Sequence, residues 1–360
     1  MNFLLVSRRC EAFYAGPGGV NLSRHTIKNV TFLGEIMDNW LYSEVLKQDD
    51  LRVPTFARQS TINWMKALRF EIVNEHGVST KEQFESSLRH FKAAYPKRLR
   101  PLNNSIVFES LYSSLTNSLA LQTSAKNSDS ESWMLPSSIV SWYYSVYFSI
   151  LSMFGSTGQT VDDNHASVYR AFGSNLSDQM PHPFNMKASH VKNEEYWSKL
   201  PLYVSANSFS LSKTFPENED AARGMLLEYL SGTAKYYTWL TKERVLKKSI
   251  YSDFRTKVAK EDRNKQLAKT VAFMHCAFRY RGKANYRDGI YLTYGKSSAA
   301  ETKAFLEDMA VVSKFVFISG LALAYRSPLN PEVVNFINDV NTNLKGIDSL
   351  SDDECFWRVL

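Results

Sequence analysis

The stretch SIVSWYYSVYFSILSMFGSTGQTVDDNHASVYRAF, residues 138–172, reads as two helices joined by a polar loop, and it decides the fold class. Pro136 with Ser137 and Ser138 opens the first helix, because proline has a φ suited to the first turn and serine can satisfy an orphaned amide. An apolar and aromatic run fills 139–154, and Gly155 and Gly158 mark its end. His165 then starts a shorter helix that reaches Phe172. Trp142, Tyr143, Tyr144, Tyr147 and Phe148 crowd the first helix. Aromatic residues at helical spacing are usually core, which is the reading for Tyr143 and Tyr144.

Upstream, residues 105–123 form a helix with Ile106, Leu111, Leu115, Leu119 and Leu121 as apolar positions, and the Ser/Asn/Asp-rich segment 124–132 is a loop. The first hundred residues have a different texture. Short apolar runs at 3–6 and 30–33 suit strands, and GPGG at 16–19 is a turn with no Gly-Lys-Ser/Thr after it, hence no phosphate loop. Helices are expected at 33–46, 60–74 and 80–95, with Ser60 and Ser79 or Thr80 as N-caps and Gly77 as a stop. Pro96 and Pro101 bracket three basic residues and suggest a boundary near 95–104.

Downstream, residues 173–216 hold four prolines and little helical period, too long for an ordinary connection, so a structured insertion is expected. The acidic cluster 217–220 opens a helix over 221–240. Further helices are expected at 242–258, 265–285 and 298–325, and a last one at 332–344 after Pro328 and Pro331. The expected architecture is mainly α. It comprises an N-terminal α or α+β extension (1–100), a helical domain (101–327) with an insertion near 173–216, and a C-terminal helix with an acidic tail (328–360).

The chain has 360 residues, 44% of them hydrophobic and 22% charged, an ordinary globular balance. Three widely spaced cysteines, Cys10, Cys276 and Cys355, argue against a disulfide framework. No C-x-x-C occurs, and His182 and His190 lack the spacing of a helical metal site, so neither metal nor cofactor is expected. The N-terminus is apolar for about one turn and is followed by Arg8 and Arg9, the reverse of a signal peptide. The longest apolar stretch, 310–325, contains Lys314, Ser313 and Ser319 and fails as a membrane span. A reduced cytoplasmic setting and no membrane partner are expected.

Charge is unevenly placed. Residues 242–287 hold 14 Lys or Arg against four acids, a local net of +10 in a chain of net +7, so the remainder carries about −3. Aromatic residues are interleaved with these cations. Such a stretch suits a polyanion, since cations meet phosphates and rings stack on bases. It is equally the pattern of a long helix with a solvated basic face and aromatics turned to the core. The nucleic-acid candidates are Arg255, Lys257, Arg263, Lys265, Arg279, Arg281, Lys283 and Arg287.

Two segments carry a resemblance. One is the Trp142–Tyr143–Tyr144 run with Tyr147, Phe148 and His165. The other is FRYRGKANY, 278–286, where Arg281-Gly-Lys-Ala-Asn-Tyr286 stands for an Arg-x-x-Ala-Asp-Tyr pattern with Asn285 in place of Asp. Together they resemble the HEPN superfamily of small helical domains, in particular those that accompany minimal nucleotidyltransferases. The likeness covers roughly 105–325, interrupted by the insertion. It implies a helical bundle and a setting in prokaryotic antiviral defence or toxin–antitoxin systems. It also implies a cleft lined by Tyr144, His165, Asn285 and Tyr286, and a homodimer or a subunit of a defence complex.

Active members of that superfamily are metal-independent ribonucleases using Arg, four to six residues, then His. In such a pair the cation stabilises phosphate while the imidazole moves a proton. From Arg279 the His position is Ala284, and from Arg281 the window holds Tyr286, Arg287 and Asp288. Neither register supplies the imidazole. The expected function is therefore a non-catalytic component that binds nucleic acid, RNA favoured over DNA. One alternative is a ribonuclease using His165 with Arg279 or Arg281, and another is a scaffold that docks a partner enzyme. His165 reads either as a cleft residue or as a helix-start residue hydrogen-bonded into the bundle. Arg279 and Arg281 read either as phosphate ligands or as ion-pair partners of Asp162 or Asp163. Arg69 and His76 match the ribonuclease spacing formally, but His76 before Gly77 reads as a helix-end residue.

Overall fold

The computed structural model describes residues 54–77, 104–126, 131–189, 215–248, 250–267, 270–285, 288–294, 298–327, 329–346 and 355–358, with isolated positions between them. The expected strands at 3–6 and 30–33 lie outside the described residues, as do most of the expected helices 33–46 and 80–95. The fold is mainly α. The helices are α1 (Pro54–His76), α2 (Asn104–Lys126), α3 (Leu135–Ser156), α4 (His165–Ala171), α5 (Glu219–Lys248), α6 (Lys257–Leu267), α7 (Phe273–Asn285), α8 (Asp288–Thr293), α9 (Ala299–Arg326) and α10 (Asn330–Asn343). A two-stranded antiparallel sheet joins β1 (Lys187–Ser189) to β2 (Thr270–Ala272).

Local chemistry sets most helix ends. Pro136 sits in the first turn of α3, and the Asn164 side chain caps α4 by accepting from the Ser167 amide. Ser298 caps α9 through the Glu301 amide. Gly77 ends α1 with φ 61°, its amide reaching the Val73 carbonyl, a left-handed stop that costs glycine nothing.

Two expected breaks fall elsewhere. The helix expected at 221–240 runs on into the first part of the one expected at 242–258 as a single 30-residue helix, α5, which ends at Lys248, and the described residues 250–256 are not helical. No Gly or Pro separates the two expected helices, so nothing stops the first at Leu240. The helix expected at 265–285 is cut instead: α6 ends at Leu267, and 270–272 pair with 187–189 before α7 starts. Val271 and Ala272 are buried in that ladder, and pairing with a distant strand overrides local helix propensity. The β1 strand lies at the start of the expected insertion, which runs through a π turn (Phe172–Leu176) and a 3-10 turn (Ser177–Gln179). Most of residues 190–214 lie outside the described set.

α2, α3 and α9 pack against one another along serines. Ser114 Oγ bonds Ser149 Oγ at 2.7 Å and the Ser145 carbonyl at 2.8 Å, and Ser118 Oγ meets Ser313 Oγ. Short hydroxyl side chains satisfied across the seam let the helices approach closely. Gly320 of α9 completes the fit: a Cβ there would lie 3.0 Å from Ser152 Oγ and 3.3 Å from the Ser149 carbonyl oxygen. Gly320→Val should therefore cost about 1–3 kcal/mol by overpacking, read as a lowered urea midpoint. An unchanged midpoint would mean that the seam is looser than drawn.

α9 is long and apolar enough to cross a membrane, but 83% of its most apolar window is buried inside the bundle. It is the central helix of the core. α1 belongs to the same core, although the sequence boundary near 95–104 places it in the N-terminal extension. Trp64 stacks on Tyr229 of α5 at 4.5 Å and lies 4.7 Å from Tyr280 of α7 and 5.7 Å from Trp142 of α3. The Tyr280 hydroxyl donates to the Thr61 carbonyl at 2.8 Å.

Candidate functional site: an Arg–His pair beside a cationic cleft

α3, α4 and α7 converge on one cluster. α3 presents Tyr143, Tyr144 and Tyr147, the cap at Asn164 places His165 at the first turn of α4, and α7 presents Phe278 and Arg281 one turn apart. Arg281 Nη1 donates to His165 Nε2 at 3.1 Å and to the Tyr144 hydroxyl at 3.3 Å. Its guanidinium lies 4.9 Å from the Tyr143 ring and 5.2 Å from Phe278, in cation–π range.

This geometry assigns the tautomer. An arginine only donates, so Nε2 of His165 accepts with its lone pair. The ring proton is then on Nδ1, which meets the Tyr143 hydroxyl at 2.9 Å. Burial, and after it the Arg281 charge, lower the His165 pKa against a smaller opposing pull from Asp163. The imidazole is neutral with its basic nitrogen capped. Burial also raises the phenol of Tyr143 far above the tyrosine range, and that of Tyr147, which donates to Asp163 Oδ1 at 2.9 Å, is raised by burial and Asp163. Both phenols are neutral: Tyr147 donates to Asp163, and the Tyr143 oxygen accepts the His165 Nδ1–H.

The structure thus brings Tyr144, His165 and Arg281 together and separates other candidates. Asn285 is exposed at the end of α7, and Tyr286 and Arg287 lie outside the described residues. Neither arginine takes the expected ion pair with Asp162 or Asp163. Asp163 holds Tyr147, and Asp162 accepts a long bond from Ser167. Arg279, two residues before Arg281, projects from the opposite side of α7 toward Thr233 Oγ1 at 3.3 Å and the ring of Tyr236. A two-residue step turns a helix by about 200°, so Arg279 and Arg281 cannot share a face. His275 is packed between Tyr169 and Tyr237 and accepts from the Ala272 amide at Nδ1. Arg69 and His76 do not meet as a pair: Arg69 approaches Asp308 at 3.4 Å, whereas His76 bonds the His182 carbonyl and stacks on Phe315.

His182 joins a group that spacing alone does not show. Glu71, Glu75 and His182 offer ligand atoms within 4.8 Å of one another. The Arg223 guanidinium already lies among them, bonding Glu71 Oε2 at 3.2 Å, Glu75 Oε1 at 2.8 Å and Glu219 more closely still. Arg223 balances the buried Glu71 carboxylate, and the group reads as an internal ion network.

A cleft of about 800 Å³ opens on the far side of α4, between α5 and α6. Tyr169 and Phe278, 5.4 Å apart, stand between it and His165. Its floor includes Tyr169, Tyr237 and His275, all buried. Arg170 of α4, Arg244 and Lys248 of α5, and Lys265 of α6 line it with one carboxylate, Asp262. That carboxylate accepts from the Tyr251 hydroxyl at 2.8 Å. The four cationic side chains are exposed. Burial, with a smaller contribution from the Arg263 charge, holds Lys242 of α5 below the lysine range.

Among the described residues, Lys265 is the one sequence candidate that lines this cleft. Arg255 and Lys257 are exposed on the adjoining segment, Arg263 is half-buried over Phe254 and bonds Asn264, and Lys283 is half-buried on α7. Arg170, Arg244 and Lys248 were missed. A signal for two of them exists on α5, where Tyr237, Thr241, Arg244 and Lys248 recur at helical spacing and change from aromatic to basic. Arg170 has no such signal, because a separate segment brings it in. No family model, no curated protein and no solved structure matches this chain.

Proposed function

We propose that this protein is a non-catalytic, HEPN-like nucleic-acid-binding component of a prokaryotic defence or toxin–antitoxin system, with RNA as its ligand. The observation that carries the binding part is the cationic cleft: four basic side chains from three helices converge on one concavity with an aromatic floor. Cations neutralise phosphates and release counterions, and rings accept unpaired bases. Exposed Arg255 and Lys257 extend the same charge along the start of α6. The setting, and assembly as a homodimer or in a larger complex, rest on the resemblance to the HEPN superfamily.

The test is binding of a fluorescent single-stranded RNA by anisotropy, with EDTA present and salt stepped from about 50 to 200 mM. Neutralising three to four phosphates on a single strand gives a slope of log K against log salt of about −2 to −3. Binding indifferent to salt, or absent at low salt, would sink the reading and favour the scaffold alternative.

The ribonuclease alternative has one observation in its favour, the 3.1 Å Arg281–His165 contact. Against it, Arg281 occupies the lone pair a general base needs, and the lowered pKa leaves no proton on Nε2 for a general acid. Purified protein is expected to leave RNA intact over hours in EDTA. Cleavage that disappears in His165→Ala would overturn the non-catalytic assignment.

A further inference from the structure

The cleft has a shape that a basic surface for passing strands does not need. Its cations ring a concavity: Arg244 and Lys248 stand one turn apart on α5, Arg170 faces them from α4, and Lys265 closes the third side from α6. The floor is shut by Tyr169, Tyr237 and His275, with exposures of only 9%, 7% and 2%. The volume of about 800 Å³ lies within the range that encloses a compact ligand, about 300–1,000 Å³. A strand running across a surface meets phosphates in a line, each a diester with one charge. A recess floored by rings and rimmed by four cations concentrates positive potential at one point.

We propose that this cleft takes the terminal nucleotide of a single-stranded RNA, its phosphomonoester held among Arg170, Arg244, Lys248 and Lys265. This rests on the RNA-binding reading above and narrows it to strand ends. A phosphomonoester carries about −1.5 to −2 charge at neutral pH and three acceptor oxygens, against one charge for a diester. Arginine forks meet such a group with paired charge-assisted hydrogen bonds; Arg170 donates Nε to the Ala166 carbonyl at 2.8 Å, which leaves its terminal nitrogens for the phosphate, and Arg244 stands across from it on α5. A base in a duplex is stacked and paired on both sides, whereas an unpaired terminal base can lie edge-on against Tyr169 and Tyr237. The lone carboxylate, Asp262, accepts from Tyr251 and pairs with Lys265 at 3.8 Å, which limits its repulsion of the phosphate and leaves Arg170, Arg244 and Lys248 as the principal phosphate ligands.

The experiment uses the full chain and one oligoribonucleotide sequence in three forms: 5′-phosphate, 3′-phosphate, and hydroxyl at both ends. One of the phosphorylated forms is expected to bind at least about tenfold tighter than the hydroxyl form, the effect of one or two charge-assisted hydrogen bonds. Arg170→Ala and Arg244→Ala/Lys248→Ala change exposed side chains and should fold normally. They should erase the preference for the phosphorylated end, and, because the same side chains carry the general binding, also weaken hydroxyl-ended RNA, by a smaller factor. Equal, salt-sensitive binding of all three forms would overturn the end-recognition proposal and leave RNA binding standing. No binding of any form at low salt would overturn both. A nucleoside monophosphate that displaces the phosphorylated strand at comparable concentration would also overturn it, by showing that the cleft takes a free nucleotide.

Discussion

Trp64→Ala is expected to lower stability by about 3–5 kcal/mol, as for the loss of a large aromatic from a closed core. Trp64 is only 2% exposed and touches rings from α3, α5 and α7 at 4.5–5.7 Å. Its removal takes away the transfer energy of the ring and leaves a void that Tyr229, Tyr280 and Trp142 cannot fill without leaving their own contacts. Total stabilities run to about 5–15 kcal/mol, so the variant should stand near its unfolding threshold at ambient temperature. Urea unfolding followed by near-ultraviolet circular dichroism measures this. Trp64→Phe, which keeps a ring in the cavity, should recover a substantial part of the loss. A cost below about 1 kcal/mol for the alanine variant would show that α1 is a dispensable attachment and that the core closes without it.

Asp308→Asn is expected to stabilise the protein at pH 7 by about 2–3 kcal/mol and to have little effect near pH 4. Burial raises the Asp308 carboxyl to about 6, with Arg69 and Lys66 pulling it down and Glu307 adding to the rise. Because its folded pKa exceeds the unfolded value near 3.8, the native state binds the extra proton between these two values. Stability therefore falls as pH rises through roughly 4 to 6 and stays lowered above that. Asparagine has the same shape and no charge, so the variant escapes the loss. The difference between the two stability curves should open across that window and be flat on either side. A variant less stable than the wild type at pH 7 would mean that the Arg69–Asp308 contact outweighs the cost of the buried charge.

Much of the helical framework was legible in the sequence because its signals are local. Pro136, Asn164, Ser298 and the left-handed Gly77 act within one turn of their own positions, and the structure uses each where local chemistry allows it. The missed elements depend on distant partners. β2 forms in the middle of a basic, helix-favouring stretch because residues 187–189 lie beside it. α5 runs on past Leu240 because no residue there breaks a helix.

The candidate site divides in the same way. The resemblance offered His165 with either Arg279 or Arg281, and the structure joins it to Arg281. Which nitrogen of His165 meets which partner was not legible, since a hydrogen bond spanning 116 positions leaves no trace in spacing. The sequence by itself determined a mainly helical chain with its positive charge gathered between 242 and 287. Only the tertiary structure decided that Arg279 and Arg281 face opposite ways and that Arg170, from a separate segment, joins Arg244, Lys248 and Lys265 around one cleft. Periodicity records which face of a helix is apolar, but only packing brings the polar faces of different helices together.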